Sequence, residues 1–408
     1  MFNFTAPPPL SLYIHLPWCV RKCPYCDFNS YRRGEDLPEQ AYIDALIRDL
    51  DQDLPRVWGR HIESIFLGGG TPSLFSPHSI DALLSAVRAR LPFDAGTEVT
   101  LEANPGTVDT ERFKGFREAG VNRLSIGVQS FEQEKLRALG RIHGREEALH
   151  AADAARTARF DNLNLDLMFG LPNQSVEQAL ADVRTAIDLA PDHLSLYQLT
   201  IEPNTVFYAA PPKLPDDDIR WTMQQQLQEV MGDNGYQQYE VSAYAREGKR
   251  CSHNLNYWHF GDYLGIGAGA HGKISDAEGI SRTIKINQPN AYIDKAGTAQ
   301  GISDDRRLSQ QDVIIEFMMN ALRLTDGFPV PLFQERTGLS ISVVMSALRT
   351  AEQKGLLARG ARAICPTDTG KGFLNDLLCL FLSEEDQYPP SVRDSRRAYA
   401  VRTPNSIT

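Results

Sequence analysis

The sequence predicts an α/β protein, in which a partial barrel of the (β/α)6 type is followed by a smaller, mostly helical domain. Short β-branched segments alternate with helical patterns through about the first 290 residues. Six strand–helix units fit into this part, which are too few for a closed eight-stranded barrel. From about residue 304 the pattern changes to amphipathic helices, which indicates a second unit.

The strands and helices of the first part are predicted in strict alternation. Strands are expected at 10–16, 62–70, 98–105, 123–130, 162–172 and 193–203, with helices at 41–54, 77–91, 109–119, 132–139, 144–158, 175–190 and 216–233. This alternation predicts a parallel sheet, whose ligands bind at the carboxyl ends of the strands. Polar residues and glycines mark those ends, namely Gly68–Thr71, Glu102, Gln129, Asp166 and Thr200. We therefore expect a binding site there.

The C-terminal part resembles a winged-helix module. A helix is predicted at 308–324, a helix–turn–helix at 331–357 and an amphipathic helix at 367–382. The second helix of the pair is poor in basic residues, so DNA binding is not expected. The predicted domains are thus 1–300 and 301–382, and residues 383–408, rich in charge, Pro and Ser, are expected to be a disordered tail.

Composition and charge exclude several classes of protein. A formal net charge of -10 argues against a general nucleic-acid binder. No secretory signal or transmembrane segment is recognisable, and six cysteines in 408 residues do not suggest a disulfide scaffold. The sequence predicts a cytoplasmic protein.

A loop after the first strand carries Cys19, Cys23 and Cys26, spaced C-x3-C-x2-C in "WCVRKCPYCDFN". Zinc would need a fourth ligand, such as His15. A [4Fe–4S] cluster normally takes four cysteines, so three would leave one iron open to a substrate or cofactor. The aromatic residues Tyr25 and Phe28 suit such a loop, because they would shield the cluster from water.

This loop resembles that of the radical S-adenosylmethionine superfamily. The resemblance implies a [4Fe–4S] cluster whose open iron binds S-adenosylmethionine, and whose electron cleaves the sulfonium to methionine and a 5′-deoxyadenosyl radical. "GGGTPS" after the second strand is expected to contact the cofactor, partly because its glycines let the backbone approach a ligand through free N–H groups. The resemblance assigns cofactor contacts to Tyr13, Tyr25, Gly69, Gly70, Thr71, Glu102, Gln129, Arg141, Asp166 and Thr200.

Within the superfamily, "YIHLPWC", "GVQSF" and "DLMFGLP" resemble the coproporphyrinogen III dehydrogenase-like branch. Phe28 stands where the dehydrogenase has a fourth cysteine, and no room is seen for its N-terminal extension. The chain is more similar to a sister group of heme chaperones, the HemW type. In that group H-N-x-x-Y-W is associated with heme binding, and here it is His253, Asn254, Tyr257 and Trp258. Taken alone, the motif would more often be a structural turn with a buried histidine, but the resemblance favours heme binding through His253, with Cys251 as a lower-ranked alternative ligand.

The expected function is therefore that of a heme chaperone without coproporphyrinogen III dehydrogenase activity. Its expected partners are heme, an electron donor protein and apo-hemoproteins, with membrane-bound respiratory enzymes among the acceptors. Contact with the membrane would be transient and through those partners. The alternative is a radical S-adenosylmethionine oxidoreductase that acts on a porphyrinogen or another tetrapyrrole. A third hypothesis is a winged-helix regulator that senses iron–sulfur or heme status.

Overall fold

The computed structural model describes residues 2–360 and 362–382. The expected tail at 383–408 lies outside the described residues. The strands are β1 (Leu10–Leu16), β2 (Trp18–Cys19), β3 (Tyr31–Arg32), β4 (Ile62–Gly69), β5 (Glu98–Ala103), β6 (Arg123–Gln129), β7 (Leu163–Phe169), β8 (His193–Gln198), β9 (Gln237–Glu240), β10 (Ala243–Ala245), β11 (Asp262–Ile266), β12 (His271–Asp276), β13 (Gly279–Lys285), β14 (Ile302–Arg307), β15 (Phe328–Pro329), β16 (Leu357–Arg359) and β17 (Ala363–Pro366).

The helices are α1 (Glu39–Asp53), α2 (Pro77–Arg88), α3 (Thr110–Glu118), α4 (Gln133–Ala138), α5 (Arg145–Thr157), α6 (Val176–Asp188), α7 (Val206–Ala209), α8 (Asp217–Asp233), α9 (Ser252–Trp258), α10 (Pro289–Lys295), α11 (Gln310–Ala321), α12 (Val330–Thr337), α13 (Met345–Gln353), α14 (Asp368–Gly372) and α15 (Leu374–Cys379). Short 3-10 turns lie at Leu54–Val57, Pro72–Leu74, Pro105–Thr107, Ala299–Gly301 and Ile341–Val344.

Six parallel strands form the partial barrel, in the order β1-β4-β5-β6-β7-β8. Every residue of β7 is buried, as expected for a parallel strand covered on both faces. Helix starts agree with local capping rules: Ser76 accepts from the amide of Ser79 ahead of α2, and Ser175 forms a capping box with Gln178 ahead of α6. The predicted α/β class and partial barrel are confirmed.

The sheet is larger than the sequence indicated. On one side β11 pairs in parallel with β1, and β12, β13 and β14 continue the sheet in antiparallel fashion. On the other side β10 and β9 add an antiparallel hairpin to β8. Strands β11, β12 and β13, and likewise β9 and β10, follow one another without a helix between them, so they lack the strand–helix alternation that marked the six central strands.

Two sequence-based boundaries differ from the structure. Strand β14 lies beyond residue 300 yet pairs with β13, so the large sheet extends into the region assigned to the second domain. The helix expected at 367–382 is broken at Phe373, whose backbone leaves the helical region between α14 and α15. Glycines at 370 and 372 weaken helix propensity there.

The C-terminal part has a core of its own, built around Phe317, Phe333 and Leu348. Strands β15, β17 and β16 form a small antiparallel sheet beside α12 and α13. Phe260 and Ile280 from the large sheet's side belong to the same core, so the two parts pack through apolar side chains. Across residues 2–360 and 362–382, none of the helices combines the length and apolar character needed to cross a bilayer.

Candidate functional site

The three cysteines of the loop lie around one cavity, which we call the barrel cavity. Cys19 ends β2, and Cys23 and Cys26 follow in a turn closed by a 3.2 Å hydrogen bond from the Cys26 amide to the Cys23 carbonyl. Burial raises the pKa of Cys19 to about 11 and also raises that of Cys26. These thiols therefore stay protonated until an electrophilic partner such as a metal displaces the protons.

The distances between the cysteines indicate which kind of metal centre they could hold. Among the described residues, no three His, Cys, Asp or Glu side chains stand close enough to share one metal ion. A [4Fe–4S] cluster attaches its thiolates to different irons, so its ligands stand farther apart. His15, one possible fourth ligand for zinc, has both ring nitrogens engaged, with the Tyr13 hydroxyl at 2.9 Å and the Asn29 carbonyl at 2.9 Å. The three thiols are compatible with a cluster that leaves one iron open.

The barrel cavity has a volume of about 350 Å³ and opens at the carboxyl ends of the parallel strands. All three cysteines and nine of the ten predicted cofactor contacts line it: Cys19, Cys23, Cys26, Tyr25, Gly69, Gly70, Thr71, Glu102, Gln129, Arg141, Asp166 and Thr200. Tyr13 is the exception, because its hydroxyl turns to His15 and its ring stacks on Phe66. Residues as far apart in the chain as Cys19 and Thr200 thus converge on one site.

Two carboxyl groups lie in the wall of the barrel cavity, the buried one of Asp166 and the half-buried one of Glu102. Burial, and then the charge of Asp166, raise the pKa of Glu102 to about 8. Burial likewise raises the pKa of Asp166, although Ser125 and Asn164 donate hydrogen bonds to its two oxygens at 3.0 and 2.8 Å. A cationic group bound between them would relieve both effects. This wall fits a ligand that carries positive charge, as the sulfonium of S-adenosylmethionine does.

Arg141 supplies the opposite charge close to the cysteines. Its Nη2 donates to the Gly127 carbonyl at 2.5 Å, and its Nη1 lies 3.9 Å from the sulfur of Cys23. Its buried Nε has no hydrogen-bond partner among the described residues. A carboxylate of a bound ligand would satisfy such a donor.

Gln129 reaches the barrel cavity through an irregular strand end. Its φ of 69° is unusual for a residue other than glycine, and the pairing of β6 with β7 shifts register between Gly127 and Gln129. Such bulges re-aim side chains next to functional sites. The bulge was not visible in the sequence, although the position of Gln129 at a strand end was.

The glycine loop differs from the expectation in one respect. Its amides are not free for a ligand: Gly69 donates to Glu102 at 3.0 Å, Gly70 to the Leu16 carbonyl at 2.9 Å and Thr71 to the Trp18 carbonyl at 2.8 Å. A Cβ atom at Gly69 would lie 2.5 Å from the ring of His15, and Gly69 has a φ of +115°. The expectation of free N–H groups is therefore wrong, because these glycines let β4 pack tightly against the cysteine loop.

The residues of the H-N-x-x-Y-W motif lie at the other end of the strands. His253 is only 4% exposed, its Nδ1 lies 3.0 Å from the hydroxyl of Ser64, and its ring packs on Phe66. Burial lowers the pKa of His253 to about 3, with a smaller effect of Arg123. Ser64 stands near the start of β4, whereas Gly69 at the barrel cavity ends that strand. The motif therefore lies towards the amino ends of the strands, whereas the barrel cavity lies at their carboxyl ends.

The helix that carries the motif, α9, is held at both ends. Glu98 accepts hydrogen bonds from the amides of Ser252 and His253 at 3.1 and 3.0 Å. At the other end the guanidinium of Arg323 lies 4.4 Å from the ring centre of Trp258. Asn254 and Trp258 are buried, and Tyr257 packs edge-on against Trp258. None of the four motif residues lines the barrel cavity.

The sequence did not single out several residues of the outer part of the barrel cavity. Met168, Leu199, Gln224 and Val241 line it, and the last two come from α8 and from the turn between β9 and β10. Gln224 and Val241 carry no local signal, because a polar residue on a helix and an apolar one in a turn are common. Met168 is the last residue but one of β7 and Leu199 directly follows β8, so their position at strand ends could have suggested them.

The fold and this site define a class of protein. The profile of the radical SAM superfamily matches residues 13–186, and that of the HemN C-terminal domain matches residues 308–373. The fold is similar to the solved structure of coproporphyrinogen III oxidase (HemN) from Escherichia coli, described as a radical SAM enzyme, with a TM-score of 0.78 and 24% identity over 92% of this chain and 90% of that one. The chain thus has the radical SAM fold and a C-terminal domain of the HemN type.

The similarity to curated relatives identifies the family more narrowly. The chain is 50% identical to heme chaperone HemW of Haemophilus influenzae, over 93% of this chain and 99% of the relative. It is 51% identical to heme chaperone HemW of Escherichia coli, over 92% and 99%, and 36% identical to that of Bacillus subtilis, over 92% and 99%. The chain belongs to the HemW family within the radical SAM superfamily.

Proposed function

We propose that this protein is a heme chaperone that binds a [4Fe–4S] cluster, S-adenosylmethionine and heme, and transfers the heme to apo-hemoproteins. The observation that carries the proposal is its similarity, over nearly the whole length, to relatives named heme chaperone HemW. Membrane-bound respiratory enzymes are the proposed acceptors, and an electron donor protein is the proposed reductant. The protein is proposed to act in the cytoplasm and to meet the membrane through these partners.

The barrel cavity is the proposed cofactor site. Cys19, Cys23 and Cys26 would hold the cluster, and the carboxyl groups of Glu102 and Asp166 would face the cationic part of S-adenosylmethionine. Arg141 would receive the carboxylate of the cofactor through its unpaired Nε. When bound, the cluster and the cofactor together supply one-electron chemistry. The chain's own residues orient the cofactor and exclude water from it.

Heme is proposed to bind at α9. His253 would be an axial ligand, and Tyr257 and Trp258 would offer flat surfaces for the porphyrin. Because His253 is buried and bonded to Ser64, heme binding at this imidazole requires α9 to move away from β4 and from Glu98. The proposal therefore includes an opening step of the motif helix.

A second candidate function is that of an oxidoreductase acting on a tetrapyrrole. It is favoured by the outer part of the barrel cavity, which extends past the predicted cofactor contacts to apolar residues such as Met168 and Leu199. Phe28 also lines the barrel cavity, at the position where the resemblance implies a fourth cysteine in the dehydrogenase. An aromatic ring there cannot ligate a metal, which favours the chaperone.

The two functions are distinguished by parallel anaerobic incubations of the cluster-reconstituted protein. We expect heme to give a Soret band and then to appear in an added apo-hemoprotein, and we expect no conversion of coproporphyrinogen III beyond a control without protein. The same protein without heme serves as the control for transfer. Formation of protoporphyrinogen would favour the oxidoreductase, and failure to bind or transfer heme would contradict the chaperone.

A further inference from the structure

A chain of buried hydrogen bonds runs through the barrel from the wall of the barrel cavity to the start of α9. Asn164 donates from Nδ2 to Asp166 at 2.8 Å, and its Oδ1 lies 2.6 Å from Nδ1 of His193. Nε2 of His193 lies 2.8 Å from the hydroxyl of Tyr239, which accepts from the amide of Cys251 at 3.4 Å. All five residues are buried. Cys251 immediately precedes α9, so the chain connects the two ends of the barrel.

The direction of each hydrogen bond in this chain is fixed by chemistry. Nδ2 of Asn164 donates to Asp166 and its Oδ1 accepts from the Ser195 hydroxyl at 3.1 Å, so the amide group of Asn164 faces Asp166 and its carbonyl faces His193. Burial holds the pKa of His193 well below its ordinary value, so the ring is neutral. Nδ1 then donates to Asn164, and Nε2 accepts from the hydroxyl of Tyr239. Every hydrogen therefore points along the same direction, from Cys251 towards Asp166.

We propose that this chain couples ligand binding in the barrel cavity to α9, with Asn164, His193 and Tyr239 as positioning residues for the motif helix. Hydrogen bonds that point in one direction polarise one another, so a weaker acceptor at one end weakens the others. A ligand that binds to the lone pairs of Asp166 makes this carboxyl group a weaker acceptor for Asn164. The link to Cys251 is the longest of the four and is the one most easily lost.

When a ligand fills the barrel cavity, the N-terminal end of α9 is expected to become less restrained. Glu98 still holds the amides of Ser252 and His253, and Ser64 still bonds to the His253 ring, so the loss of the Tyr239 contact removes one restraint among several. The inference rests on the proposed function only in taking α9 as the heme contact. The coupling itself is a property of the barrel and is measurable without heme.

Hydrogen–deuterium exchange of residues 251–255 tests the coupling in the cluster-reconstituted protein, with and without S-adenosylmethionine. We expect exchange to become about fivefold faster when the cofactor is bound. Tyr239→Phe keeps the ring and removes the hydroxyl, so exchange should be fast in both conditions. Tyr236→Phe is the matched control: this buried tyrosine donates to the Pro191 carbonyl, outside the chain, and its variant should respond like the parent.

A second exchange experiment, on the Asp166→Asn variant, needs no cofactor. Asp166→Asn replaces the charged acceptor by a neutral one of similar shape, and exchange at 251–255 should rise about as much as it does on cofactor binding to the parent. The coupling is refuted if bound S-adenosylmethionine, verified by equilibrium dialysis, leaves the exchange unchanged, or if Tyr239→Phe responds like the parent. If the cofactor does not bind, Asp166→Asn decides alone. A normal exchange response without a Soret band would leave the coupling standing and refute the heme proposal.

Discussion

At the scale of single residues, the environment of His253 decides how the motif can act. Its imidazole is neutral, buried and bonded to Ser64, which is what a structural histidine looks like. An axial ligand must also be neutral, so the lowered pKa is compatible with both roles. What separates them is whether the ring can leave its pocket.

We predict that His253→Ala weakens or displaces the Soret band of the heme-loaded protein and lowers transfer to an apo-acceptor. It should also lower the free energy of unfolding by about 1–3 kcal/mol, because a buried hydrogen bond and packing on Phe66 are lost. Absorption spectra and urea unfolding measure the two effects.

Ser64→Ala is the control for this prediction, because it removes the partner of His253 and keeps the imidazole. It should retain the Soret band while losing stability. Cys251→Ser must accompany both, since the Cys251 thiol, which donates to Glu98 at 3.3 Å, is the alternative ligand. If His253→Ala and Cys251→Ser both bind and deliver heme like the parent, the motif is a structural turn.

At the scale of elements, the cysteine loop is fixed by contacts at several points. Its first cysteine belongs to β2, which pairs with β3. Further along, the Pro24 carbonyl accepts from the amide of Phe207, and Asn29 donates to the Ala268 carbonyl at 2.8 Å. Strand pairing and hydrogen bonds at these places position the thiols around the barrel cavity.

We predict that serine at Cys19, Cys23 or Cys26 abolishes the iron and sulfide content reached on anaerobic reconstitution, which should approach four of each per chain in the parent. A serine hydroxyl is a far weaker ligand for iron than a thiolate. Cys365→Ser is the matched control, because that thiol donates to the Asp326 carbonyl in the C-terminal part. Loss of iron in Cys365→Ser, or zinc in place of iron in the parent, would contradict the assignment.

At the scale of the whole molecule, the C-terminal part is joined to the barrel at the motif. Arg323, just after α11, lies over Trp258 and forms a 3.3 Å ion pair with Glu240 of β9, and both charged groups are buried. The barrel, the motif helix and the HemN-type domain therefore meet at one cluster. The loss of either charge leaves the other unpaired in the interior.

We predict that Arg323→Met lowers the free energy of unfolding by about 3–5 kcal/mol, because it leaves the Glu240 carboxylate buried without its cationic partner. The double variant Arg323→Met with Glu240→Gln should recover a large part of this loss. Urea unfolding of the parent, both single variants and the double variant gives the coupling free energy. Strictly additive effects would mean that the ion pair does not connect the two parts.

The sequence by itself determined the class of fold, the cysteine loop and part of the set of residues that line the barrel cavity. These features follow from local rules: alternation of strands and helices, the spacing of thiols, and polar residues at strand ends. Because the carboxyl ends of parallel strands meet at one edge of the sheet, residues at those ends are expected to be neighbours in space. Gly69, Glu102, Gln129 and Asp166 could be grouped in this way.

Only the tertiary structure decided which contacts these residues make with one another. The amides of the glycine loop are occupied by Glu102 and by the backbone around the cysteines, Gln129 depends on a bulge, and Tyr13 turns to His15. The motif at His253 lies at the opposite end of the barrel, where long-range packing buries it. Burial, hydrogen-bond partners and the addition of antiparallel strands depend on contacts between residues far apart in the chain, and local patterns do not encode them.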